Sequence, residues 1–100
     1  MIVLFGATGY TGGRVAQAMV RRGLAPILAG RNVGKLSSVA SRLGNLDVVR
    51  ADVADPASVR ALIGRGDVLV STVGPFVRLG GPALRAAVDA GAIYLDSTGE

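Results

Sequence analysis

Gly6-Ala7-Thr8-Gly9-Tyr10-Thr11-Gly12 lies between an apolar run, Ile2-Val3-Leu4-Phe5, and an amphipathic segment that opens near Gly13. A buried strand, a glycine loop and a helix in that order form the cradle that holds a dinucleotide pyrophosphate. Gly6 lets the chain turn sharply out of the strand. Gly9, lacking a Cβ, lets backbone N–H groups come close to phosphate oxygens, and Gly12 allows tight packing of helix on sheet. The helix then aims its free N–H groups and positive dipole end at the anion. Thr8, Tyr10 and Thr11 belong to the same loop, with Tyr10 either a pocket wall or a residue packed on the loop. Glycines also punctuate ordinary turns, so it is the flanking strand and helix that make this a candidate binding loop.

Outward from that loop, apolar runs alternate with amphipathic segments. Residues 2–5 read as a strand buried on both faces, and 13–22 as a helix with Val15, Ala16, Met19 and Val20 inward and Gly23 as its stop. Residues 26–29 read as a second strand, opened by Pro26. Asn32 caps a second helix that carries Leu36, Val39, Ala40 and Leu43 on one face before Gly44. Residues 46–49 follow as a third strand, and Asp55-Pro56 as a capping carboxylate and first-turn proline opening a third helix. That helix turns Val59, Leu62 and Ile63 inward and ends at Gly64. Residues 67–72 make a fourth strand and 74–82 a Gly/Pro-rich loop. Pro82 opens a fourth helix with Leu84, Ala87 and Val88 inside, Gly91 stops it, and 92–95 make a fifth strand. The alternation predicts an α/β Rossmann-like three-layer sandwich: a five-stranded parallel sheet, order 3-2-1-4-5, with helices on both faces.

Composition narrows the function. The chain has 100 residues, one domain's worth, and half are hydrophobic, so it can bury roughly 60–65% of its unfolded surface. Eleven basic against seven acidic residues leave a net charge of +4, but the cations are scattered and form no nucleic-acid stripe. With neither cysteine nor histidine, disulfides, thiolate catalysis and the usual zinc sites are excluded, and no metal is expected. No apolar run reaches the ~20 residues of a membrane span. Met1 leads directly into a core strand, and a cytoplasmic location is the expectation.

Arg31 follows the second strand, where dinucleotide folds place the group that reads the adenosine ribose. An acidic residue there would accept from a 2′-hydroxyl. Gly30-Arg31-Asn32, with Lys35 one turn on, instead offers a guanidinium suited to a 2′-phosphate or to stacking on adenine. Asp52, after the third strand, is either an acceptor for the adenine amino group or a loop carboxylate. Thr72-Val73-Gly74-Pro75-Phe76 follows the fourth strand on the ligand-binding edge: Gly74 permits close approach, and Pro75-Phe76 either wall the nicotinamide side or form a rigid turn. Tyr94 alternates with Ile93 and Leu95, which favours a structural role, and no lysine stands four residues later as in the tyrosine–lysine pair of short-chain reductases.

Gly6–Gly12, Leu28-Ala29-Gly30-Arg31, Thr72–Phe76 and Tyr94-Leu95-Asp96-Ser97-Thr98-Gly99-Glu100 occur in that order. Together they resemble the N-terminal cofactor domain of the saccharopine dehydrogenase-like family, including its trans-acting enoyl reductase branch, over essentially the whole chain. The resemblance implies that Gly6, Thr8, Gly9, Tyr10, Thr11 and Gly12 hold the pyrophosphate of NADP. It further implies that Arg31 meets the 2′-phosphate and that Gly74, Pro75 and Phe76 lie near the nicotinamide ribose. Family members continue into a substrate domain, so the chain is expected to be a fragment, inactive by itself, of an NADP-dependent oxidoreductase. The other readings are a non-catalytic NADP-sensing Rossmann module and an atypical short-chain reductase. Catalytic residues are not identified. The exposed edge near residues 92–96 is expected to support a homodimer.

Overall fold

The computed structural model describes residues 1–7, 10–52, 54–71, 85–86 and 88–96, with Tyr10, Thr11 and Asp96 represented by their backbone. Five strands form one all-parallel sheet: β1 (Ile2–Phe5), β2 (Ile27–Gly30), β3 (Val48–Arg50), β4 (Val68–Ser71) and β5 (Ile93–Asp96), in the order β3-β2-β1-β4-β5. Between them run α1 (Tyr10–Arg21), α2 (Val33–Arg42) and α3 (Pro56–Arg60), and residues 85–86 and 88–90 are helical before β5. This is the expected α/β architecture, with each strand within one or two residues of its expected bounds.

β1 is central, pairing with β2 on one side and β4 on the other, and Val3, Leu4 and Phe5 are buried. Its alternating side chains feed two cores. Leu4 joins Ala7, Ala16, Leu28, Leu36 and Ala40 beneath α1 and α2, and Val3 and Phe5 join Ala29, Val59, Leu69, Ala86 and Ala90 on the opposite face. Helices therefore cover both faces, as a parallel sheet requires.

α1 begins at Tyr10, three residues before the expected start, so Gly12 and Gly13 lie inside the helix. Poor helix propensity yields here to packing. Gly12 is buried, and a Cβ on Gly13 would make an ordinary 3.6 Å contact with the Ala7 carbonyl oxygen, which places the first turn of α1 beside the residue that follows Gly6. The C-terminal stop is as expected: Gly23 takes φ +81°, its N–H donates to Val20 O at 3.0 Å and Leu24 N–H to Met19 O at 3.0 Å.

Two further expectations are corrected. Asp55 occupies the cap position of α3 but makes no side-chain capping bond; Ser58 Oγ lies 2.7 Å from the Asp55 carbonyl oxygen instead. In the last helical segment Val88 points outward at 70% exposure, while Ala86 and Ala90, one helical turn apart, face the core. Leu84 and Ala87, the other residues expected inside, lie outside the described residues, as does the loop at 74–82.

Asn32 caps α2, its Oδ1 accepting the Lys35 N–H at 3.0 Å, and Leu36 is fully buried against Gly30, where an added Cβ would meet Leu36 Cδ1 at 3.4 Å. Leu36→Ala should empty that contact and cost about 2–5 kcal/mol, read as a lower urea midpoint with an unchanged slope.

Asp67, in the turn before β4, accepts the Gly64 N–H at 2.8 Å through Oδ2, and its Oδ1 lies 3.4 Å from the Met1 ammonium. The Gly64 hydrogen bond, assisted by the ammonium and opposed by partial burial, holds its carboxyl below the usual aspartate value. A carboxyl whose folded value is depressed adds stability that is present at neutral pH and lost as the pH falls through the folded value. Denaturation of the wild type and Asp67→Asn should therefore differ at pH 7 and converge in strong acid.

Candidate functional site

The carboxyl ends of the strands fall in register: Phe5 pairs with Ala29 and Ser71, Gly30 with Arg50, and Ser71 with Asp96. The residues that leave those strands thus share one edge of the sheet. Gly6, Arg31 and Asp52 are all there. Chain order also reverses beside this point, β2 lying on one side of β1 and β4 on the other, which opens the crevice where ligands bind in open α/β sheets.

Gly6 turns out of β1 with φ +98°, a conformation that L side chains rarely adopt, while its N–H donates to Ala29 O at 3.0 Å. One residue thus keeps the β1–β2 ladder intact to its last rung and redirects the chain into the loop. Gly12 follows in the first turn of α1, buried. Tyr10 and Thr11 begin that helix, so their backbone lies at its N-terminal end, where the dipole favours an anion. Thr8 and Gly9 lie outside the described residues.

Arg31 and Lys35 are exposed and flank the start of α2, the first just after β2 and the second at the residue whose N–H Asn32 caps. Neither forms an ion pair among the described residues. Two free cations beside the Gly6 turn suit a phosphate on the adenosine ribose.

Asp52 is half-buried and has a structural task. Its Oδ1 accepts the Ala54 N–H at 2.9 Å, its own N–H donates to Ser58 Oγ at 2.9 Å, and its carbonyl oxygen lies 3.2 Å from that hydroxyl. Oδ2 has no partner among the described residues, which leaves one carboxylate oxygen for an amino group of a ligand. Ser58 is the residue that sequence reading missed: from the third position of α3 it locks the loop carrying Asp52. A serine just inside a helix after Asp-Pro is the only signal for it. Gly74, Pro75 and Phe76 lie outside the described residues. Tyr94 is half-buried against the core on the α3 side, a packing position. Among the described residues no cluster of acidic side chains is arranged for a metal ion, and no helix is long and apolar enough to cross a membrane.

The parallel sheet of this order, the Gly6 turn at its switch point and the exposed cations beyond β2 define a Rossmann-type dinucleotide-binding domain. Residues 2–100 match the model of the saccharopine dehydrogenase NADP binding domain, and the chain belongs to that family, with NADP as its cofactor. It is 39% identical over 105 residues to the trans-acting enoyl reductase of Mycobacterium ulcerans strain Agy99, covering 99% of this chain and 25% of the relative. Against the trans-acting enoyl reductase of Mycobacterium bovis BCG Pasteur 1173P2 the identity is 37%, with the same coverage. The chain thus spans a quarter of the length of these curated relatives. Among solved structures, the Citrobacter triphenylmethane reductase complexed with NADP(H) superposes with a TM-score of 0.74 at 26% identity, over 92% of this chain and 34% of that one. Saccharopine dehydrogenase (L-Glu forming) from Saccharomyces cerevisiae shares the fold, with a TM-score of 0.75 at 17% identity over 95% of this chain and 21% of that one.

Gly6→Ala would force a Cβ onto the positive-φ turn. The substitution should destabilise the domain by more than about 1 kcal/mol in denaturant and weaken NADPH and NADH alike, because both carry the same pyrophosphate.

Proposed function

We propose that this chain seats NADPH for a hydride-transferring oxidoreductase of the saccharopine dehydrogenase-like family. The observation that carries the reading is the meeting of Gly6, Arg31 and Asp52 at one sheet edge, with Arg31 and Lys35 free of carboxylate partners among the described residues. In this reading Gly6, Thr8, Gly9, Tyr10, Thr11 and Gly12 surround the pyrophosphate. Arg31 grips the 2′-phosphate with Lys35 as a second cation, Asp52 receives the adenine amino group, and Gly74, Pro75 and Phe76 border the nicotinamide ribose. When bound, the cofactor supplies a hydride from its reduced nicotinamide ring, and the chain's own residues hold and orient it. The relatives named as enoyl reductases support a reduction in a polypeptide of their full length, where the remaining three quarters would hold the substrate. The 100-residue chain by itself is proposed to bind cofactor without turnover, to act in the cytoplasm, and to meet a second copy at residues 92–96.

Cofactor choice tests this directly. Arg31→Ala should weaken NADPH binding about tenfold and leave NADH nearly unchanged, since one charge-assisted hydrogen-bonded contact at a solvent-exposed site contributes roughly 1.5 kcal/mol. Calorimetric titration of both cofactors into both proteins at one salt concentration reads the difference. Equal losses would reduce Arg31 to an adenine-stacking residue, and tighter binding of NADH than NADPH by the unmutated chain would overturn the NADP-specific role of Arg31.

A further inference from the structure

Every polar group of Asp52 but one is taken up within its own loop. Its N–H donates to Ser58 Oγ, its carbonyl oxygen accepts the Asp55 N–H and its Oδ1 accepts the Ala54 N–H, each at 2.9 Å. Only Oδ2 is left over among the described residues. The residue before it, Ala51, is fully buried and donates its N–H to Gly30 O at 2.9 Å. Arg31 follows Gly30 and Asp52 follows Ala51, so both leave the same rung of the β2–β3 ladder. The sheet fixes where each of them starts. How Asp52 turns beyond the rung is set from α3. Ser58 Oγ, half-buried, lies 2.7 Å from the Asp55 carbonyl oxygen and 3.2 Å from that of Asp52 while accepting the Asp52 N–H. A hydroxyl has one proton and two lone pairs, so it gives the proton chiefly to the shorter contact and still receives the N–H. No other side chain among the described residues bonds the Asp52 backbone. Without this hydroxyl the half-buried Asp52 N–H would lose its partner, and the loop would have to shift to find water for it.

We infer that Ser58 is a positioning residue: by fixing the Asp52 backbone it aims the free Oδ2 and so sets the chain's selectivity for a purine that carries a 6-amino group. The inference rests on the reading that Asp52 receives the adenine amino group, and it concerns how that choice is enforced. A carboxylate oxygen only accepts hydrogen bonds, so it attracts the N–H donors of a 6-amino group and repels the carbonyl oxygen of a 6-oxo purine. Such discrimination depends on direction, because a hydrogen bond weakens steeply once its angle falls below about 120°. Recognition of the 2′-phosphate by Arg31 is chiefly a matter of charge and survives a small shift. Ser58 therefore bears on the base and leaves the choice between NADPH and NADH alone.

Calorimetric titration tests it with NADPH, NADH and the reduced hypoxanthine analogue of NADPH, which carries a 6-oxo group in place of the amino group. The proteins are the wild-type chain, Ser58→Ala, Ser58→Thr and Asp52→Asn. The wild type should prefer NADPH to the analogue by about tenfold, as one hydrogen bond to a charged group allows. Ser58→Ala should lower that preference to about threefold or less with its NADPH-to-NADH ratio unchanged, and Ser58→Thr, which keeps the hydroxyl, should restore it. Asp52→Asn should erase it, because an amide presents a donor as readily as an acceptor. If Ser58→Ala shows no cooperative thermal transition, Ser58→Cys, close in volume but a weak hydrogen-bonding group, reads the same ratio. A preference that Asp52→Asn erases but Ser58→Ala keeps in full would overturn the inference and leave the Asp52 reading standing. Equal loss of affinity for all three ligands in Ser58→Ala would also overturn it, since a merely structural serine acts that way. A wild type indifferent to the 6-substituent would overturn the Asp52 reading and the inference together.

Discussion

Everything in this fold follows from the need to cover β1 on both faces while pairing it on both sides. A strand hydrogen-bonded to two parallel neighbours cannot return by a hairpin, so each connection must climb over the sheet, and each crossover brings the helix that covers a face. The first crossovers carry the chain through β2 and β3 on one side of β1, and the next places β4 on the other. The crevice beside Gly6 is the geometric residue of that reversal. Binding capacity here is a consequence of topology before it is one of side chains.

The side chains then divide the work by position. Gly6 supplies the turn, and the Asn32 cap holds the start of α2, so Arg31 and Lys35 issue from a fixed frame. Ser58 does the same for the Asp52 loop by engaging the backbone of both Asp52 and Asp55. Arg31 and Lys35 are thus carried on a fixed support while themselves remaining exposed to solvent, and Asp52 is half-buried. Such an arrangement suits a ligand that must enter and leave from water yet be recognised by its phosphate.

The sheet was legible because its inner strands β1, β2 and β4 read as plain apolar runs, and because Gly23, Gly44 and Gly91, expected as helix stops, do adopt positive φ. The start of α1 was less legible than those of α2 and α3, which open at Asn32 and Asp55-Pro56 as read. Gly12 and Gly13 look like helix breakers in isolation, yet both lie inside α1, where Gly12 is buried. The Val88 error is one of phase: small alanines at 86 and 90 fit under the helix where a larger residue was expected to be inside. At the site, Gly6, Arg31 and Asp52 could be placed from strand ends alone. Ser58 could not, since its role depends on a turn that brings the Asp52 and Asp55 backbone around one hydroxyl.

The pairing of β1 with β4 also sets a timetable. As the chain emerges from the ribosome, β1, β2 and β3 can assemble with α1 and α2 in sequence, yet the far side of β1 stays bare until Val68 and its neighbours are made. During that interval the strand destined for the centre, β1, is the apolar edge of a three-stranded sheet. Vectorial synthesis therefore leaves the switch-point crevice to form among the last features, with the cofactor's seat completed only after the fourth strand has docked.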